Sequence, residues 1–100
     1  MTRTVKKADG FRKESAKARE AYAKTALNAE TILGEAAKAA ALGEQAHAIM
    51  FDRPVDLPRT EAAESLKALL LPHGFAVEWE KRTAIMGGME KTFWTLIIRW

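Results

Sequence analysis

Two histidines, His47 and His73, are the residues of this chain best suited to proton transfer or metal binding, and they are separated by a segment containing Pro54 and Pro58. Neither has a second ligand at the i, i+4 spacing that places two side chains on one helix face around a metal. His47 reads as a helix-surface residue, and His73 as a helix-terminal residue whose positive form suits the negative end of the dipole. Asp52 and Asp56 could pair as an acid and a base. Their surroundings, Asp52-Arg-Pro-Val-Asp-Leu-Pro, suggest a solvated connection without the burial that separates two carboxyl pKa values. Ser15 and Ser65 have no adjacent base to activate a hydroxyl. Gly87-Gly88 is followed by a strand pattern, whereas a phosphate-binding glycine loop opens onto a helix N-terminus. Cysteine is absent, which excludes disulfides and thiolate metal sites. The expectation is a protein without catalytic residues, metal, cofactor or small-molecule substrate, and not an enzyme.

Binding chemistry is more evident. Residues 1–24 hold eight Lys and Arg against Asp9, Glu14 and Glu20, a net +5 in a chain whose total is only +3. Residues 25–72 reverse to −3, and residues 73–100 return to +1. Clustered cations gain free energy by releasing counterions from a polyanion, so Arg12, Lys13, Lys17, Arg19 and Lys24 are candidate nucleic-acid contacts. The competing reading is an ordinary solvated helix, which also interleaves Lys and Arg with Ala and Glu.

The C-terminal quarter offers apolar groups instead. Phe75, Val77 and Trp79 alternate along one strand pattern, and Trp94, Leu96, Ile98 and Trp100 along another. Gly87-Gly88 between them supplies the positive φ angles of a two-residue hairpin turn, which sets Met86 opposite Met89 and brings both alternating sets to one face. That dry face belongs against a helix. Open, it could stack nucleic-acid bases, with Lys81, Arg82, Lys91 and Arg99 supplying phosphate contacts. Ile85, Met86 and Met89 cluster at the tip, and adaptable Met side chains suit protein contacts. Phe93 and Ile97 lie on the opposite face and also require a cover. These five, Ile85, Met86, Met89, Phe93 and Ile97, are the candidate protein-interaction residues. If Trp100 packs fully beside Phe75, its truncation to Ala costs about 3–5 kcal/mol.

The elements that must carry these groups emerge from local patterns. Residues 1–10 form a basic segment. Residues 11–51 are rich in Ala, Leu, Glu and Lys and contain no proline, predicting one long helix. Its weak seam runs through Phe11, Ser15, Ala18, Tyr22, Ala29, Ile32, Ala36, Ala46 and Met50. Gly34 or Gly43 could bend or end it, but neither is followed by a capping residue that would open a new helix. Residues 52–59 are a linker. Residues 60–100 join a short helix to the hairpin: Thr60 caps it, Glu61 and Glu64 favour its positive end, and Ala62, Leu66, Leu69 and Leu70 form its apolar stripe. The fold class is α+β, with a two-stranded antiparallel hairpin.

In outline, a terminal hairpin after helices resembles the basic β-arms of bacterial histone-like proteins, which extend from a helical dimer core and reach around DNA. The resemblance is architectural, and this hairpin has no proline at its tip. It implies a nucleic-acid-binding role.

Element lengths point to a partner. A helix of about 40 residues spans about 60 Å and one of about 12 residues about 18 Å, so the short helix cannot cover the long one. A two-stranded hairpin is marginal alone, and its last strand is apolar on both faces. The expectation is a cytoplasmic interaction module, an assembly factor or inhibitor of the accessory type carried by phages and mobile elements. It would bind a larger protein or form a homo-oligomer, and nothing long and apolar enough to span a membrane is present. The alternative is a nucleic-acid-binding protein using the basic helix and the hairpin arm.

Overall fold

The computed structural model describes residues 2–100, with side chains from Lys7 onward, so Arg3 and Lys6 of the basic N-terminal segment contribute no described side chain. Its order is α1 (Thr2–Ala26), α2 (Ala29–Ala41), β1 (Ala46–Met50), α3 (Glu61–Leu70), β2 (Ala76–Met86) and β3 (Met89–Arg99). The class is α+β as expected, but the sheet is three-stranded and antiparallel, in the order β1-β3-β2.

The single long helix over 11–51 is therefore corrected in two places. The first break is at Asn28, whose extended backbone separates two helices and whose side-chain oxygen accepts the Thr31 N–H at 3.0 Å to cap the second. Asn is among the strongest N-caps because it satisfies one of the unpaired first-turn donors. The second break is at Gly43, where φ is +88°. There the Gly43 N–H donates to the Ala40 carbonyl and the Glu44 N–H to the Ala39 carbonyl, the paired bonds that close a helix on a left-handed residue. Gly34 stays inside α2. α1 begins at Thr2, so the helix includes most of the basic segment over 1–10.

Beyond Gly43 the chain becomes a strand. His47, Ile49 and then Phe51 point to the helix side, while Ala46, Ala48 and Met50 point away, a period of two hidden in an alanine-rich stretch. His47 is consequently a half-buried strand residue opposite Ile98, not a helix-surface one. β1 also makes β3 the central strand and not an edge.

The hairpin register is the expected one. Met86 faces Met89, Trp79 faces Leu96 and Val77 faces Ile98, with Gly87 and Gly88 at φ +59° and +78°. Leu96 and Ile98 are fully buried, and they join Ala23, Leu27, Ile32, Phe51, Leu57, Ala63, Leu66 and Leu70 in the core. Trp79 packs at the margin of this core, its ring 6.2 Å from that of Phe51.

The α3 start matches its sequence signature. Buried Thr60 accepts the Ala63 N–H at 3.2 Å and donates its hydroxyl to the Leu57 carbonyl at 2.7 Å. The buried positions of α3 are Ala63, Leu66 and Leu70, with Ala62 half-buried, whereas Leu69 is exposed. The 52–59 linker is better anchored than a solvated connection, because Leu57 in its 3₁₀ turn, Leu57–Arg59, is fully buried. A proline on each side of that residue, Pro54 and Pro58, stiffens the backbone that carries it.

The result is elongated, 60 × 31 × 17 Å. Helices lie on one face of the sheet, and two parts extend beyond the body: the N-terminal half of α1 and the distal half of the β2-β3 hairpin.

Candidate interaction surfaces

The hairpin divides midway. Its proximal half, up to the level of Trp79 and Leu96, is held between β1 and the helices. β1 ends at Met50, opposite Thr95, and from there outward β2 and β3 pair only with each other, flanked by the 54–59 segment, which lines a cleft with Lys81, Lys91 and Trp94. Ile85, Met86 and Met89 lie at that free end and are 78%, 53% and 63% exposed. Met86 and Met89 face each other on the side away from the helices, and Ile85 lies on the helix side opposite Glu90. Three large apolar groups in water around one turn make an apolar cluster on a narrow projection.

Phe93 and Ile97 do not extend that cluster. Phe93 is only 8% exposed even though it points away from the helices. The Arg82 guanidinium carbon lies 5.9 Å from its ring centroid, and Arg82 Nη1 is 3.1 Å from Met50 Sδ, so an arginine held beside a methionine covers the ring. Ile97 is half-buried between Ala48 of β1 and Glu78 of β2. The cover expected from a partner is thus supplied within the chain for Phe93. Met50, exposed on the same sheet face, fits a helix seam in the sequence pattern; only the strand pairing brings it beside Arg82.

The tryptophans lie on the helix side as expected, but only Trp79 packs against the core, and it does so at the margin. Trp79 and Trp94 are half-buried. Trp100 meets Phe75 edge to face, with centroids 6.3 Å apart, but remains 38% exposed, so the fully packed ring is corrected to a partly open one. Both rings also line a shallow apolar groove of about 260 Å³ with Leu33, Ala36, Ala37 and Ala40 of α2. On the other sheet face Arg99 is engaged by Glu78.

The five candidate nucleic-acid contacts separate on α1. Arg12 is held by Asp9 at 2.7 Å, and Arg19 is half-buried. Lys13, Lys17 and Lys24 are exposed. Among the described residues of α1, only the C-terminal end reaches the core, through Ala23 and the Leu27 that succeeds the helix. Tyr22 reinforces this anchor, since its hydroxyl donates to Asp52 Oδ1 at 3.2 Å and the Arg53 guanidinium lies 4.7 Å from its ring centroid. Partial burial, then the hydrogen bond and negative charge of Asp52, raise the Tyr22 phenol above its usual pKa, against a smaller opposing effect of Arg53.

His73 lies exposed in the 3₁₀ turn Leu71–His73, remote in the chain from His47 on β1. Among the described residues no group of three or more His, Asp or Glu side chains is placed to hold a metal ion. Ser15 and Ser65 are exposed on α1 and α3. Asp56 is paired with Arg59 at 3.4 Å, and Asp52 is engaged by Tyr22. No described helix is long and apolar enough to cross a membrane. No protein-family model, curated protein or solved structure matches this chain.

Proposed function

We propose that the protein is a small non-enzymatic interaction module that binds a larger protein through the tip of its hairpin arm. The observation that carries this reading is the exposure of Ile85, Met86 and Met89 at the far end of an arm whose base is packed into the core. A module of this kind acts by presenting a few apolar anchors on a rigid support, because a small central group of contacts dominates most interface energies. Its support is the hydrogen-bonded β2-β3 ladder, continuous from Ala76–Arg99 to Met86–Met89. Such a role is that of a cytoplasmic assembly factor or inhibitor, whose effect is exerted on the partner.

The test is capture by the immobilised full chain, with a photo-crosslinker introduced at Thr83, compared with the variant Ile85→Ser/Met86→Ser/Met89→Ser. The expected outcome is a specific crosslinked protein that is lost in the triple variant, while far-ultraviolet circular dichroism and the melting midpoint stay unchanged. Capture undiminished by these substitutions would refute the tip as the binding site. Light scattering on the purified chain distinguishes a second copy from a different protein as the occupant: a tip-dependent dimer replaces the larger partner by self-association.

A further inference from the structure

We infer that the exposed side of α1 is a binding site for the phosphodiester backbone of a double-helical nucleic acid, separate from the hairpin tip and independent of the role assigned to it. Lys17 follows Lys13 by four residues and Lys24 follows Lys17 by seven. At about 100° per residue these three fall within an arc of about 40°, at axial intervals of about 6 and 10 Å. They form one row of cations along the helix. Among the described residues none of the three is paired with a carboxylate.

Of the three acids on α1, two are engaged elsewhere, and the third, exposed Glu14, lies three residues before Lys17. Asp9 is held by Arg12. Glu20, which falls close to the same arc, turns toward α3, where its Oε1 accepts the Glu61 N–H at 2.9 Å. Its charge there complements the positive end of α3. The row is therefore an exposed strip of three cations, with Glu14 beside Lys17 and Glu61 of α3 across a groove from Lys24, and it keeps a net positive charge.

Charge complementarity selects the occupant. A second copy of α1 would set lysine against lysine, which excludes self-pairing through this side. Duplex nucleic acid presents a negative charge about every 1.7 Å along its axis, dense enough for each lysine to find a phosphate without a particular register. A single strand is a poorer match, because stacking on aromatic rings carries much of its binding. The aromatics of α1, Phe11 and Tyr22, fall on the opposite side of the helix from the lysines by the same angular count. Lysine is a compact point charge on a flexible stem, so the contact reads no base sequence.

The measurement is fluorescence anisotropy of a labelled DNA duplex of mixed sequence, and of the RNA duplex of the same sequence, titrated with the full chain across a salt series. Binding of either duplex at low salt, with log affinity falling against log salt at a slope of about −2.7 for three phosphates, is the expected result. The tighter of the two identifies the source. Lys13→Glu/Lys17→Glu/Lys24→Glu should weaken binding at least tenfold and flatten the slope, while the corresponding triple change to Arg preserves both. Lys24 lies beside α3, so Lys13→Glu/Lys17→Glu, confined to exposed α1 positions before Arg19, repeats the test away from α3. Affinity unchanged by the reversals would overturn the inference. So would the absence of binding to both duplexes at low salt, tighter binding of a single strand, or equally tight binding of poly-glutamate, which would assign the row to an acidic protein.

Discussion

The two halves of the β2-β3 hairpin share one register and one turn, yet they solve opposite problems. At the base, Leu96 and Ile98 are fully buried, with Ile49 of β1 beside Leu96 and the helices above. At the tip, Ile85, Met86 and Met89 remain in water. The same contrast recurs in α1, whose Ala23 enters the core while Phe11, three turns earlier, is exposed. Burial, and not secondary structure, separates the part of this molecule that holds it together from the parts left in water. A regular hairpin or helix can extend beyond the core because its backbone groups are either paired within the element or open to water.

Truncations in the two halves should differ most. Leu96→Ala, on the central strand, is expected to cost about 2–5 kcal/mol through lost burial and a residual cavity. Ile85→Ser should change stability by less than about 0.5 kcal/mol, because no core contact is lost. Urea titrations of both variants check this, and comparable losses would abolish the distinction between base and tip.

Trp100 sits between these extremes and sharpens the comparison. Partly open and in edge contact with Phe75, it should lose about 1–2 kcal/mol on change to Ala, less than a fully packed ring. A thermal melt showing no shift would place it with the tip, and a loss as large as that of Leu96→Ala would place it in the core.

A smaller effect than at Trp100 is expected at the anchor of α1. Tyr22→Phe removes one hydrogen bond to Asp52, worth about 0.5–1.5 kcal/mol at neutral pH. Its signature is the pH dependence. Because the folded phenol titrates above the unfolded one, its contribution is fully present below the unfolded pKa and is lost as pH rises through the folded value. Wild-type stability should therefore fall from about pH 10 upward more steeply than that of Tyr22→Phe. Identical alkaline limbs in the two proteins would remove Tyr22 from the anchor.

Where several local signals coincide, as at the hairpin and α3, the sequence alone determined the outcome. Gly87-Gly88 and two alternating apolar patterns specify one register, because a slip of one residue would turn every buried side chain outward. Thr60, Glu61 and Glu64 specify the start of α3 by meeting its unpaired amides and its dipole. The Asn28 break was not read from the sequence, because the uninterrupted helix propensity around it masks a single capping residue. The exposure of the tip was legible only as a set of apolar residues beside a turn. The strand at Ala46–Met50 was decided by tertiary structure, for alanine favours a helix and only the free edge of β3 rewards the alternative. The same pairing brings Met50 and Arg82 together over Phe93, converting a residue that looked in need of a partner into one already covered. Leu57 likewise became a core residue only when the linker folded back over the sheet. Burial depends on which surfaces meet, and that is a property of the assembled chain that local pattern does not contain.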